Sequence, residues 1–151
     1  MRRKCMRAMS LFLALVMLTG LLTVSASAAV STSKTYYIVS ALDENKVVDV
    51  AGGSRDSEAP LQLYELNETG AQQFRFTLKN GYYTITNVNS GKVVDVKGGG
   101  TASGTRVQQY AANGTDAQKW SLIDLGNGFF SLRSKSGLYL DVKGGETANG
   151  T

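Results

Sequence analysis

Lys46-Val47-Val48-Asp49-Val50-Ala51-Gly52-Gly53 returns 46 residues later as Lys92-Val93-Val94-Asp95-Val96-Lys97-Gly98-Gly99, and again as Leu138-Tyr139-Leu140-Asp141-Val142-Lys143-Gly144-Gly145. The same step of 46 carries Gln62 to Gln108, Tyr64 to Tyr110, Asn67 to Asn113, Gln72 to Gln118 and Phe74 to Trp120. Self-similarity at a fixed period of this size is the signature of an architecture built from repeated supersecondary units. Within the second copy, Tyr82 to Thr86, Val93 to Val96, Val107 to Tyr110 and Trp120 to Ile123 are rich in β-branched and aromatic residues. Turn chemistry separates them, as in Asn89-Ser90-Gly91 and Gly98-Gly99-Gly100, while Asn80-Gly81 and Gly126-Asn127-Gly128 mark the joints between copies. No stretch after the N-terminal segment sustains a helical period. Four short strands per copy suit either a propeller blade or one third of a three-fold barrel, and the number of copies favours three.

The copies account for most of the 151 residues. They are expected at 36–81, 82–128 and 129–151, after a short linker at 30–35. Thr151 corresponds to Thr105, so the third copy is expected to be partial and the sequence a fragment. A barrel left open there would expose a strand edge and be poorly stable. Residues 1–29 read as a secretory signal peptide: Arg2, Arg3, Lys4 and Arg7 precede an apolar run from Ala8 to Leu22, and Ala26-Ser27-Ala28-Ala29 offers a cleavage site. The run is short for a membrane span, so the chain is expected to be secreted, with no transmembrane anchor after cleavage and a bacterial origin.

Removing that segment changes the charge. Four of the 16 Lys and Arg residues lie in it and none of the 12 Asp and Glu, so the formal +4 belongs to the leader and the remainder is near neutral. A nucleic-acid partner needs a basic face and is set aside. The single cysteine, Cys5, leaves with the leader. With no histidine anywhere, Ser-His-Asp and Cys-His catalysis and the usual zinc sites are excluded, and no metal or cofactor is implied.

The ordered set Asp95-Val96, Val107-Gln108-Gln109-Tyr110 and Gln118-Lys119-Trp120, with Gln72-Gln73-Phe74 as its degenerate copy, resembles the ricin B-type lectin family. The resemblance runs from about Tyr36 to Thr151. It implies an all-β, pseudo-three-fold β-trefoil and a non-catalytic carbohydrate-binding module, free or attached to a glycoside hydrolase. A pyranose offers adjacent hydroxyls and an apolar face, which a carboxylate, an amide and an aromatic ring complement. The expected sets are Asp49, Gln62, Tyr64 and Asn67 in the first copy, Asp95, Gln108, Tyr110 and Asn113 in the second, and Asp141 in the third. Gln72, Phe74, Gln118 and Trp120 are expected to be structural, forming the core strand of each copy.

Competing readings exist for several of these positions. An Asp before a Gly-Gly turn suits a cap on backbone N–H groups, and Tyr64 and Tyr110 suit half-buried strand positions. Ala71 and Ala117 stand where sugar-binding members of the family often have Asn, which favours the alternative of a protein-interaction or inhibitor trefoil. A glycosidase needs two paired carboxylates, whereas the repeated Asp residues are expected to lie far apart. Asn67, Asn113 and Asn149 each begin an Asn-X-Thr triplet, which reads as a glycosylation acceptor or, as expected for a bacterial product, as turn residues. Replacing Asp95 or Tyr110 by alanine is expected to remove one site with little change in melting temperature.

Overall fold

A computed structural model describes residues 30–151, and the leader expected at 1–29 lies outside the described residues. Every regular element among the described residues is a strand or a single 3-10 turn. No helix among the described residues is long and apolar enough to cross a membrane. The strands are β1 (Thr35–Tyr36), β2 (Lys46–Val50), β3 (Leu61–Glu65), β4 (Phe74–Lys79), β5 (Tyr82–Asn87), β6 (Val93–Val96), β7 (Val107–Tyr110), β8 (Trp120–Gly126) and β9 (Phe129–Ser134).

Two kinds of hairpin recur along the chain. The alternation in Phe74-Arg75-Phe76-Thr77 buries both phenylalanines and leaves Arg75 and Thr77 outside, as the two-residue period of a half-covered strand requires. β4 pairs with β5 through Asn80-Gly81, both with positive φ (52° and 80°), the geometry that matches a two-residue turn to the twist of its strands. The second hairpin of this kind, β8 with β9, turns through Asn127 and Gly128 and contains a register shift between Asp124 and Gly126. Consequently Ser134, not Arg133, faces Trp120 as Asn87 faces Phe74.

The other kind of hairpin carries the repeated Asp. In β2–β3, Asp49 faces Gln62 and Val47 faces Tyr64, and in β6–β7, Asp95 faces Gln108 and Val93 faces Tyr110. The same register is thus reproduced at the step of 46. A 3-10 turn follows each Asp-Val pair at Ala51–Gly53, Lys97–Gly99 and Lys143–Gly145, with Gly52, Gly98 and Gly144 at φ of 64°, 63° and 67°.

The core lies inside the path β1-β4-β5-β8-β9, from which β5 also leads to β6 and β7. Phe74, Phe76, Ile85, Val50, Val94, Val96, Trp120 and Leu132 form its centre. Phe76 meets Tyr36 and Tyr83 edge-on at centroid distances of 5.7 and 6.0 Å, a favoured aromatic geometry. Trp120 Nε1 donates to the Val94 carbonyl at 3.1 Å, which ties β8 to the Asp-bearing strand β6.

Successive copies are stitched together by backbone. Glu58 N donates to Gln109 O, and Gln109 N to Ala59 O, both at 2.8 Å. One step away, Gly150 N donates to Leu63 O at 2.8 Å and Leu63 N to Thr151 O at 2.6 Å. Each turn therefore docks on a strand of another copy: the first on the second, the third on the first. At the turn position the other two copies have Gly104 (φ 85°) and Gly150 (φ 90°), whereas the first has Glu58 at φ 68°. A left-handed conformation costs a residue with a Cβ about 1–2 kcal/mol. Glu58→Gly relieves that strain but adds about 0.4–1 kcal/mol of unfolded-chain entropy to be lost on folding. The variant is expected to be unchanged or more stable by up to about 1.6 kcal/mol in urea denaturation. A loss beyond 1 kcal/mol would mean that the Glu58 side chain itself holds the fold together.

Candidate functional site

Alternation within β6 would place Asp95 opposite in direction to Val94 and Val96, yet all four residues of the strand are buried because both of its faces are covered. Asp95 is 5% exposed. Its Oδ1 accepts Gln108 Nε2 at 2.9 Å and its Oδ2 accepts Gln118 Nε2 at 3.1 Å. Neither the turn at Lys97–Gly99 nor its counterpart at Ala51–Gly53 is capped by a side chain. The cap reading is thus replaced by an amide cradle that holds the carboxylate.

Gln118 does a second job in the same place. Its Nε2 also donates to Ala111 O at 2.9 Å, while its Oε1 accepts Asn113 N at 2.9 Å and Gly114 N at 3.3 Å. One buried amide thereby fixes both the carboxylate and the loop that carries Asn113. Asn113 Oδ1 accepts Thr115 N at 3.0 Å and Thr115 Oγ1 at 2.8 Å, the self-closing turn expected of such a triplet. Gln108, 3% exposed, uses its amide nitrogen on Asp95, and its Oε1 is buried without a hydrogen-bond partner.

These residues meet at a cavity of about 580 Å³, within the ~300–1,000 Å³ span of small-molecule sites. Asp95, Gln108, Tyr110 and Asn113, the full second-copy set read from the sequence, all line it. Asp95 and Gln108 form its buried floor, and Tyr110 is half-buried beside them. Ala117 also lines it, so a methyl stands where the family resemblance leads one to look for an amide.

The remaining wall comes from residues not singled out in the sequence: Glu58, Lys97, Asp116 and Ser136. Glu58 and Lys97 form an ion pair at 3.5 Å, both side chains more than half exposed. The ammonium groups of Lys119 (2.7 Å) and Lys135 (3.1 Å) bind Asp116 Oδ1. They hold its carboxyl below the usual carboxylate range, Lys119 having the larger effect. Because the folded value lies below the unfolded one, this contribution is present near neutrality and disappears as pH falls through the folded value. In an NMR titration Lys119→Ala is expected to move Asp116 back up toward the ordinary range. An unchanged titration would assign the shift to another cause.

The first-copy set is arranged differently. Asp49, also 5% exposed, accepts Gln62 Nε2 at 2.9 Å. Gln72 spends its amide on Glu65 O (2.8 Å) and its Oε1 on Asn67 N (2.8 Å). Asn67 closes the same turn on Thr69 that Asn113 closes on Thr115. Tyr64 is half-buried. The segment at 149–151 lies across this hairpin: Asn149 Oδ1 accepts Lys46 Nζ at 2.7 Å and Glu65 N at 2.9 Å. Asp141 is exposed. Gln72, Phe74, Gln118 and Trp120 are each at most 2% exposed.

The burial of Asp95 corrects one expectation. Alanine there leaves the Gln108 amide nitrogen without its partner and takes one of two acceptors from Gln118, so a clear drop in stability is expected. Of the missed residues, Glu58 had a legible signal, since it replaces the Gly found at the same place in the other two copies. Lys97 replaces Ala51 of the first copy. Asp116 likewise stands where the first copy has Gly70, whereas Ser136 repeats Ser90 and gave no such contrast.

Comparison with known proteins gives a consistent picture. Residues 70–151 match a family described as ricin-type beta-trefoil lectin domain-like. Among solved structures, the designed three-fold symmetric protein ThreeFoil is 36% identical, with a TM-score of 0.74 over 77% of this chain and 84% of that one. An exo-β-1,3-galactanase from Clostridium thermocellum is 32% identical with a TM-score of 0.73 over 77% of this chain, but this chain spans only 25% of its length. A Polyporus squamosus lectin, solved bound to a human-type influenza-binding epitope, is 20% identical with a TM-score of 0.65, over 77% and 41% of the two chains, and shares the fold. No curated protein matches the sequence.

Proposed function

The chain belongs to the ricin-type beta-trefoil lectin domain-like family, and from that premise we propose that it is a secreted, non-catalytic module that binds polysaccharide or cell-surface glycan through the cavity at Asp95. The observation that carries this reading is the meeting of Asp95, Gln108, Tyr110 and Asn113 around one cavity. A carboxylate oriented by two amides accepts hydroxyl hydrogens without reorganising, and the half-buried ring of Tyr110 offers a surface to the CH face of a pyranose. Gln108 Oε1, unpartnered in the floor, adds an acceptor for a further hydroxyl.

The Asp49 hairpin, in the same register, is the second proposed site, with Gln62, Tyr64 and Asn67 beside it. Asp141 is the third position of the series. Single open sites of this kind bind at around 1 mM, and several on one chain raise apparent affinity on a multivalent surface. The galactanase, in which a matching domain occupies a quarter of the chain, supports the proposal that a module of this type works joined to a glycoside hydrolase.

The test is a glycan array with the unaltered chain and Tyr110→Ala. A defined set of glycans should be retained by the first, and the second should weaken it about tenfold, the value of a ring contact and its apolar burial. No glycan signal together with a stoichiometric protein complex would instead favour a protein-binding trefoil.

A further inference from the structure

The cavity at Asp95 has two tiers. Its floor is Asp95 and Gln108, 5% and 3% exposed, whereas its rim is the Glu58–Lys97 ion pair, whose side chains are more than half exposed. The rim is absent from the corresponding place in the first copy. There Ala51 takes the position of Lys97, and Gly150, supplied by the segment docked on Leu63, takes the position of Glu58. Glu58 is, moreover, a left-handed residue at a point where both other copies have Gly, so its side chain is retained against its backbone preference. The turn bearing it is clamped on both sides of Gln109 by backbone hydrogen bonds, one residue from the cavity floor. A strained residue that brings a carboxylate from another copy to a ligand-sized cavity is best accounted for by what that carboxylate contacts.

We infer that Glu58 and Lys97 form a second subsite, so that the Asp95 cavity takes a glycan of at least two sugar units, one seated on the floor and the next hydrogen-bonded at the rim. This rests on the proposed glycan-binding reading. An acid and an amine 3.5 Å apart supply the acceptor and the donors that neighbouring hydroxyls of a second ring require. The cavity of about 580 Å³ is in the range that holds ligands larger than a monosaccharide. The Asp49 site, without the pair, is then indifferent to the second unit, and Glu58 and Lys97 set which of the sites distinguishes a disaccharide from its monosaccharide.

Titration calorimetry with matched pairs of probes tests this: galactose against galactobiose, glucose against cellobiose, mannose against mannobiose and N-acetylglucosamine against chitobiose. The variants are Glu58→Gly and Lys97→Ala, which install residues the chain already carries at the equivalent positions. In an Asp49→Ala, Asp141→Ala background, which isolates the second site, at least one disaccharide should bind about tenfold tighter than its monosaccharide, as one hydrogen bond to a charged group provides. Each variant should bring that ratio close to one. If the pairs bind in an Asp95-dependent manner but the ratio is near one from the start, or survives both substitutions, the second subsite is overturned and the glycan site stands. If no probe binds the unaltered chain, the glycan-binding reading falls and the subsite with it.

Discussion

Trp120→Ala is expected to cost about 3–5 kcal/mol, the range for deleting a large aromatic side chain from a packed interior. Trp120 is 1% exposed and lies in the central cluster with Phe74, Ile85, Val94 and Leu132. Its loss opens a cavity between β8 and β6 and removes the donor at the Val94 carbonyl, one residue before Asp95. Folded domains of this size are stable by only about 5–15 kcal/mol, so the variant should melt roughly 10–25 °C lower or fail to accumulate. Trp120→Phe supplies the control. The chain already fills the equivalent position with Phe74, which is fully buried, so this replacement should cost about 1–2 kcal/mol and keep the fold. Thermal melts of the two variants check the argument. A Trp120→Ala protein that melts within a few degrees of the original would show that the repeated aromatic is not the core of its copy.

Asp95→Ala is the second large effect, and it divides between stability and binding. With the carboxylate gone, Gln108 loses the partner of its nitrogen while its oxygen is already without one, and Gln118 is left with Ala111 O for its nitrogen. A buried amide stripped in this way costs about 1–3 kcal/mol. For glycan binding the loss is larger in proportion. Two hydroxyl hydrogens on one carboxylate are each worth about 1.5 kcal/mol or more, so affinity at this site should fall at least roughly 100-fold. Asp95→Asn separates the two roles, since it keeps the volume but turns a donor toward one of the two amides that now donate to it. Calorimetric titration with a glycan selected on the array, beside a urea melt, reads both quantities. Retained affinity with reduced stability would reassign Asp95 as a purely structural residue.

The fold was legible because the sequence states it more than once. Lys46–Gly53, Lys92–Gly99 and Leu138–Gly145 fix the period, and the β-rich runs between their turns fall on β5 to β8 within a few residues. That Asp95, Gln108, Tyr110 and Asn113 belong together was legible, since all four line one cavity. Their energetics were not. Nothing in the order of residues indicates that Gln118, read as structural, reaches the Asp95 carboxylate, because that contact joins a 3-10 turn to a strand 23 positions earlier. Glu58 reaches the cavity from another copy, through backbone hydrogen bonds of Glu58 and Ala59 with Gln109 that no local pattern indicates. The cap reading of the repeated Asp failed for a related reason. Local turn chemistry is overruled where a strand is covered on both faces and a carboxylate finds side-chain donors inside.

The central claim is that a glycan docks at the Asp95 cavity, and chemical-shift mapping of the labelled chain during titration with an array-selected oligosaccharide tests it most directly. Saturable shifts should cluster on Asp95, Lys97, Gln108, Tyr110 and Asn113, with Glu58 moving in the same titration although it belongs to a different copy. Saturable shifts confined to residues away from that cavity, or none at millimolar glycan, would contradict the account.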